Sequence, residues 1–473
     1  MLANSAQILL PIPAKLTLTD AVFPVKQLTT FAIDQKFSGI LPELHNLFRT
    51  LGVNVDEAAG DAALSISESD LPPGAWQMTV SDDGIRAGAG DITGAFYIVN
   101  ALAQMLFAAT ATGDPQAVLN GAEIADHPRF AWRSFHLDCA RHFQQKEIVK
   151  KFLRILSLCR INIFHWHLAD SQGWRYQSSV VPLLKADGSS SYGQYTREEV
   201  QEIVQFAKSL GITVIPEVDV PGHSAFLLSH YPQFACDPAT PGEEFCLGKK
   251  AVMEFLKEIF SELMTLFPDS PYIHIGGDEA ATGHWENCPE CRRAMKEKGL
   301  KNMRELENQF MIELSRFIAA NGRTPVIWGT CSGQTYPADT MIQVWLDIRE
   351  PLKIAPHGNK IIYSVHSSLY FDYPADLSEP WESWMFELSE KGVYMTDPYI
   401  IWPEKVKDVI VGTEACLWTE TIPQHRIFAK LFPRIFAYSE CAWSLPERKS
   451  WHDFTRRKSL LEASGYIDYV KGV

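Results

Sequence analysis

Two consecutive carboxylates, Asp278 and Glu279, close the run His274-Ile275-Gly276-Gly277-Asp278-Glu279-Ala280. The apolar lead-in Tyr272-Ile273 reads as a short buried strand, and the glycines let the backbone turn sharply beyond it. Neighbours on an extended chain point to opposite sides, so the two acids are not copies of one group. A twist at the strand end can bring both to one pocket in different roles. The competing reading is a strand-to-helix turn with acids at the helix start, and this run alone does not decide between the two.

Other chemically capable groups recur at comparable places in the chain. Asp138 is followed by Arg141-His142-Phe143, and His165-Trp166-His167 leads to Asp170 and then Gly173-Trp174-Arg175. Glu217-Val218-Asp219 precedes Pro221-Gly222-His223, and Tyr370-Phe371-Asp372 follows a later apolar run. Trp328, Trp345 and Trp418 end three further runs, the last with Glu420 close behind. Singly, each has a structural explanation: a tryptophan packs a core, a buried histidine is hydrogen-bonded, an arginine pairs with a structural acid. Together they are harder to dismiss, because folding gains nothing from desolvating so many charges in one place. Carboxylates, an arginine and aromatics without a phosphate-binding motif describe a sugar-binding cleft. His165, His167 and Asp170 have metal-ligand chemistry. On a strand, however, positions i and i+2 face one way, here inward, where hydrogen bonding is the expected use.

The elements that must position these groups follow a repeating pattern. Strands are expected at residues 133–138, 162–168, 213–218, 272–275, 325–329, 342–345, 360–365 and 409–414. Helices are expected at 146–158, 196–210, 251–266, 303–320 and 426–439, with short or irregular connections after the fifth and seventh strands. Eight strands alternating with helices are what a (β/α)8 TIM barrel requires, and its reactive face lies at the C-terminal strand ends. A doubly wound sheet is the runner-up, weakened because no glycine-rich nucleotide loop follows the first strand. Residues 1–125 read as a small α+β supporting domain and 126–473 as the catalytic barrel. In the former, strands are expected at 8–11, 16–19 and 63–66, a helix at 41–51, a hairpin over 76–89 and a helix at 92–107.

The 473 residues carry a net charge of -14, which argues against tracking a phosphate backbone or binding an anionic membrane. No apolar run is read as a membrane helix, and the N-terminus lacks the basic start of a signal peptide. The expectation is therefore a cytoplasmic protein, or one whose leader has been removed. Of nine cysteines, Cys139, Cys159, Cys331, Cys416 and Cys441 sit in apolar surroundings. Cys236 and Cys246 bracket a loop, and Cys288-x-x-Cys291 follows His284. One CxxC with one histidine falls short of four zinc ligands, so these four are expected as disulfides or free thiols, with no metal site assigned.

The motifs resemble those of family 20 glycoside hydrolases, the β-N-acetylhexosaminidases. The resemblance rests on Trp132-Arg133 through Arg141-His142-Phe143, Asn162 through Asp170, Ile215-Pro216-Glu217 through His223, His274–Glu279, and Trp418-Thr419-Glu420 with Pro433-Arg434. It implies an exo-acting enzyme without cofactor that removes terminal GlcNAc or GalNAc from oligosaccharides or glycoconjugates. The implied mechanism is retaining and substrate-assisted, with no enzyme nucleophile. Glu279 is then the acid/base, expected with a raised pKa, and Asp278 the partner of the acetamido N–H. Tyr370 orients the acetamido oxygen, and Asp170 and His223 support Glu279. Trp328, Trp345 and Trp418 enclose the acetyl group and sugar face, while Arg141, Asp372 and Glu420 bind hydroxyls. Ser134 and Ser171 depart from the family pattern beside motif residues. The rivals are a retaining enzyme with Glu217 as nucleophile, a non-hydrolytic sugar-binding protein, and a zinc hydrolase using His165, His167 and Asp170. GlcNAc against GalNAc preference, natural substrate and oligomeric state stay open, a homodimer among the options.

Overall fold

Eight parallel strands close into a barrel: β1 (Trp132–Asp138), β2 (Ile163–His167), β3 (Thr213–Glu217), β4 (Tyr272–His274), β5 (Thr324–Trp328), β6 (Met341–Val344), β7 (Ile361–Tyr363) and β8 (Ile410–Leu417). The computed structural model describes residues 5–111, 113–184, 193–329, 335–399 and 402–472; Cys331 and part of the β5–β6 connection lie outside them. Each strand falls within a few residues of its expected place. Closure is made by β8 on β1, in register from Gly412↔Trp132 to Leu417↔Leu137.

The period of two along each strand sorts the barrel interior into layers. Trp132, Ile163, Ile215, Val326, Met341 and Ile362, with Tyr272 and Val411 beside them, form an apolar floor to which every strand contributes. Two positions further along the interior turns polar, with His165, Glu217, His274, Trp328, Gln343 and Ser364 all buried. Barrel cores are ordinarily packed with branched aliphatics, so a polar layer here depends on internal partners, and His274 Nε2 and Gln343 Oε1 have none among the described residues.

The outer helices Lys146–Leu158 and Met303–Ala320 match their expected bounds, and Arg197–Ser209 starts with a capping box between Thr196 and Glu199. The helix expected over 426–439 is two, Ile427–Leu431 and Arg434–Trp443. Pro433 stands between them, without the N–H a continuous helix would use. Between β7 and β8 the helices among the described residues are the short His366–Leu369, Glu390–Met395 and Glu404–Lys407.

Ahead of the barrel lies a seven-stranded mixed sheet in the order Lys15–Pro24, Val118–Asp126, Trp76–Ser81, Gly84–Ala89, Leu64–Glu68, Thr30–Ile33, Asp56–Glu57. The hairpin turns through Asp82-Asp83 as expected. The strand expected at 8–11 is absent; Ser5–Ile8 is a 3-10 turn, and Pro11 and Pro13 keep the following segment irregular. Helix Ile92–Thr110 is capped by Asp91 and is long and apolar enough to cross a membrane by length and composition, which corrects the sequence reading. Of its apolar window, 72% is buried inside the fold. Part of that cover comes from the C-terminal helix Tyr466–Gly472, whose Tyr466 donates to Asn100 at 2.5 Å.

Candidate active site

A cleft of about 510 Å³ opens over the C-terminal ends of the strands. Arg141, His223, Asp278, Glu279, Trp345, Tyr370, Asp372, Trp418 and Glu420 line it, gathered from segments nearly 280 positions apart in the chain. Asp170 and Trp328 stand behind this lining. Trp328 is fully buried under Trp418, with ring centroids 5.7 Å apart.

Beyond β4 the backbone turns through Gly276 and Gly277, both with positive φ. A Cβ at Gly276 would fall 1.7 Å from Asp219 Oδ1, so only glycine fits. The turn delivers Asp278 into the cleft wall, where it is buried, and leaves the Glu279 side chain 59% exposed. Asp278 stands beside Asp219, whose Oδ1 accepts the Gly277 N–H at 3.0 Å. Burial pushes both carboxyls up, and the charge of Asp278 adds to the rise at Asp219. Two carboxyls so placed resist being ionised together. Asp278 Oδ1 is buried without a hydrogen-bond partner among the described residues.

Glu279 lies 3.6 Å from His223 Nε2, and His223 Nδ1 lies 3.3 Å from Asp170 Oδ1. Asp170 in turn accepts from Arg141 and from His167 Nε2, each at 2.9 Å. Burial opposes ionisation of Asp170, but Arg141, His167 and His223 outweigh it and hold its carboxyl well below the usual range. Burial likewise opposes the charged form of His223, and the surrounding carboxylates overcome it, so its pKa is raised. The approach of the His223 imidazolium then lowers the pKa of Glu279, with burial only partly offsetting it. This reverses the expected rise: in the open cleft Glu279 is more than half exposed, and the nearest charge is a cation. Replacing His223 by Asn, which tolerates the positive φ at this position, removes that cation. Glu279 then stays protonated to higher pH, and the alkaline limb of kcat/KM is expected to move upward. A limb that stays in place would disconnect His223 from the proton of Glu279.

Beside Asp170, Arg141 also stacks its guanidinium 4.9 Å from the Trp418 ring centre and lies 3.8 Å from Glu420. Asp372 is buried with Oδ1 unpartnered among the described residues, and burial followed by the charge of Glu420 pushes its carboxyl up to about 8. Below neutrality it can therefore donate to a hydroxyl as well as accept. Burial also keeps the Tyr370 phenol protonated. The sequence reading gave no role to Asp219, His366, Tyr373 and Trp384, which share this lining. Asp219 was visible as the acid two residues beyond Glu217; the others come from the irregular segment after β7, where no periodicity marks an inward face.

Glu217 sits beneath the cleft, fully buried. Its Oε1 accepts from Trp328 Nε1 at 2.7 Å and lies 2.9 Å from His274 Nδ1. Its Oε2 faces His167 Nδ1 and lies 3.2 Å from His165 Nε2. No sugar carbon can reach either oxygen, which removes Glu217 as a nucleophile. His165 and His167 direct both ring nitrogens at carboxylates, His165 at Glu414 and Glu217, His167 at Glu217 and Asp170. They belong to the buried polar layer, and among the described residues they do not converge with Asp170 on a common point.

An acid within reach of a supporting histidine, a buried carboxylate facing the cleft, and an aromatic-walled barrel mouth define a glycoside hydrolase. Sequence profiles of glycosyl hydrolase family 20 match the chain over residues 130–446 (catalytic domain) and 6–127 (domain 2). The chain is 32% identical over 419 residues to a beta-hexosaminidase of Akkermansia muciniphila, covering 83% of this chain and 84% of that one. A Porphyromonas gingivalis beta-hexosaminidase is 30% identical, covering 95% of this chain and 62% of its own length. The fold superimposes on an exo β-N-acetylglucosaminidase of Vibrio harveyi with TM-score 0.87 at 26% identity, covering 97% and 78% of the two chains. It also superimposes on a β-N-acetylhexosaminidase of Bacteroides fragilis with TM-score 0.85 at 27% identity, covering 98% and 96%. The chain belongs to glycosyl hydrolase family 20, and the enzyme is a β-N-acetylhexosaminidase of that family.

Proposed function

We propose that the enzyme removes single terminal GlcNAc or GalNAc residues from the non-reducing ends of oligosaccharides or glycoconjugates, with retention and through participation of the substrate's own acetamido group. The observation that carries this reading is the unpartnered, buried Oδ1 of Asp278 beside Glu279. A carboxylate so placed accepts the acetamido N–H and offsets the charge that grows on nitrogen as the carbonyl oxygen bonds to the anomeric carbon. That interaction strengthens on the way to the transition state, where it counts for rate.

In the first step the acetamido oxygen forms a bond to the anomeric carbon as the glycosidic bond breaks. Glu279 delivers its proton to the departing oxygen, leaving an oxazolinium-type ring. In the second, Glu279 takes a proton from water, whose oxygen bonds to the anomeric carbon and reopens the ring. Substrate filling the cleft drives water from around Glu279, which raises its pKa from the depressed value of the open site. Tyr370 donates to the acetamido oxygen, and Trp345 and Trp418 wall in the acetyl group above Trp328. Arg141, Asp372 and Glu420 bind ring hydroxyls and close the cleft to one sugar. Residues 1–125 support and 126–473 carry the chemistry.

The test is release of 4-nitrophenol from the β-GlcNAc, β-GalNAc and β-glucose derivatives, with a thiazoline mimic of the cyclised intermediate as inhibitor. Turnover of the acetamido sugars alone, with strong inhibition, is expected. Equal hydrolysis of the glucoside, or indifference to the thiazoline, would mean that the nucleophile does not come from the substrate.

A further inference from the structure

Away from the sugar cleft, Cys236, Cys246, Cys288 and Cys291 converge, with sulfurs all within 4.8 Å of one another. The Cys246 sulfur lies 3.6 Å from that of Cys288 and 3.6 Å from that of Cys291, and the Cys236 sulfur lies 3.8 Å from that of Cys291. A disulfide would need a separation of about 2.0 Å. Four sulfurs around one zinc ion at about 2.3 Å form a tetrahedron whose edges are about 3.8 Å. We propose that these four cysteines bind one zinc ion as a closed tetrathiolate site that clips the loop after β3 to the loop after β4.

The surroundings fit that use. The pattern is Cys-x9-Cys followed at a distance by Cys-x2-Cys, two chelating pairs from separate segments. Cys246, Cys288 and Cys291 are buried and Cys236 is half-buried, so the ion would be enclosed by protein. A Cβ on Gly248 would fall 2.2 Å from the Glu290 carbonyl carbon and 2.4 Å from the Cys291 nitrogen, so glycine lets the two ligand segments meet. Cys288 occupies the N-cap position of the nine-residue helix Pro289–Glu297, where the helix dipole favours the net negative charge of a zinc tetrathiolate. The set is all sulfur and tetrahedral, which selects zinc over magnesium, calcium or manganese.

The clip would act on the catalytic loops by position alone, since none of its ligands lines the sugar cleft. Between its first two ligands, the Glu243 carbonyl accepts the Ser224 N–H at 3.0 Å, one residue beyond His223. The Glu244 carboxylate accepts the Ala281 N–H at 3.1 Å, two residues beyond Glu279. Trp285, between the two loops, donates to the Phe245 carbonyl at 2.9 Å. The ion would therefore fix the segment that braces both arms of the Glu279–His223 pair.

The measurement is elemental analysis of the full chain purified without chelators, together with zinc release on titration with an organomercurial. One zinc per chain, freed as four thiols react, is expected. Cobalt exchanged into the site should show the visible bands and thiolate charge-transfer absorption of a tetrahedral tetrathiolate. Cys288→Ser and Cys291→Ser should lower the zinc content and Tm; if either variant misfolds, the wild-type stoichiometry still decides. Folded, active enzyme with no stoichiometric zinc would overturn the proposal. So would peptide mapping that finds these cysteines joined as disulfides, or iron in place of zinc. None of these readouts depends on how the sugar is cleaved, so this site and the acetamido mechanism fail separately.

Discussion

Glu279→Gln lowers kcat by roughly 10²–10⁴, the range for losing one general acid/base, while the protein folds as before. The fold should not notice the change, because the Glu279 side chain is 59% exposed and its one close charged partner is His223. The loss should depend on the leaving group. A 4-nitrophenolate departs with little protonation, so the first step suffers less than with a sugar alcohol, which cannot leave without a proton. Steady-state kinetics on a 4-nitrophenyl glycoside and on a disaccharide, compared in the two proteins, read this directly. Activity within about twofold of wild type on the disaccharide would overturn the acid/base role.

Asp278→Asn is expected to lower kcat by about 10²–10³, as when one preorganised electrostatic contact to a transition state is lost. Asparagine keeps the shape but cannot offset charge on the acetamido nitrogen. Stability should hold, because the change also relieves crowding between two buried carboxyls, Asp278 and Asp219. Affinity for a thiazoline inhibitor should fall alongside kcat. A rise in KM at unchanged kcat would make Asp278 a ground-state binding group instead.

How far the sequence led can be judged at particular residues. The barrel was legible because its strands are short apolar runs separated by helices of strong amphipathic period, and all eight lie where periodicity put them. The cleft was legible because in a barrel the strand ends converge, so residues as distant as Arg141 and Glu420 could be placed in one wall from strand order alone. Three things were not. The direction of the Glu279 shift depends on a 3.6 Å approach by His223, which no spacing encodes. Trp384 and Tyr373 come from an irregular stretch with no face to read. The meeting of Cys236 and Cys246 with Cys288 and Cys291 depends on how two loops fold over adjacent strands, and a lone CxxC in sequence gives half a ligand set.

His223 and Glu279 share one further property: among the described residues they and Arg160 are the only non-glycine positions with positive φ, at 50° and 52° for the first two. Such backbone costs of the order of 1–3 kcal/mol for an ordinary side chain, and glycine there would relieve it. Glycine at either place would also remove the acid/base or the imidazole that links it to Asp170, so the backbone cost is borne by the two side chains that the proposed chemistry uses. The left-handed turn is thus a device for aim: it swings each side chain off the strand direction and toward the other across adjacent loops, to a 3.6 Å approach.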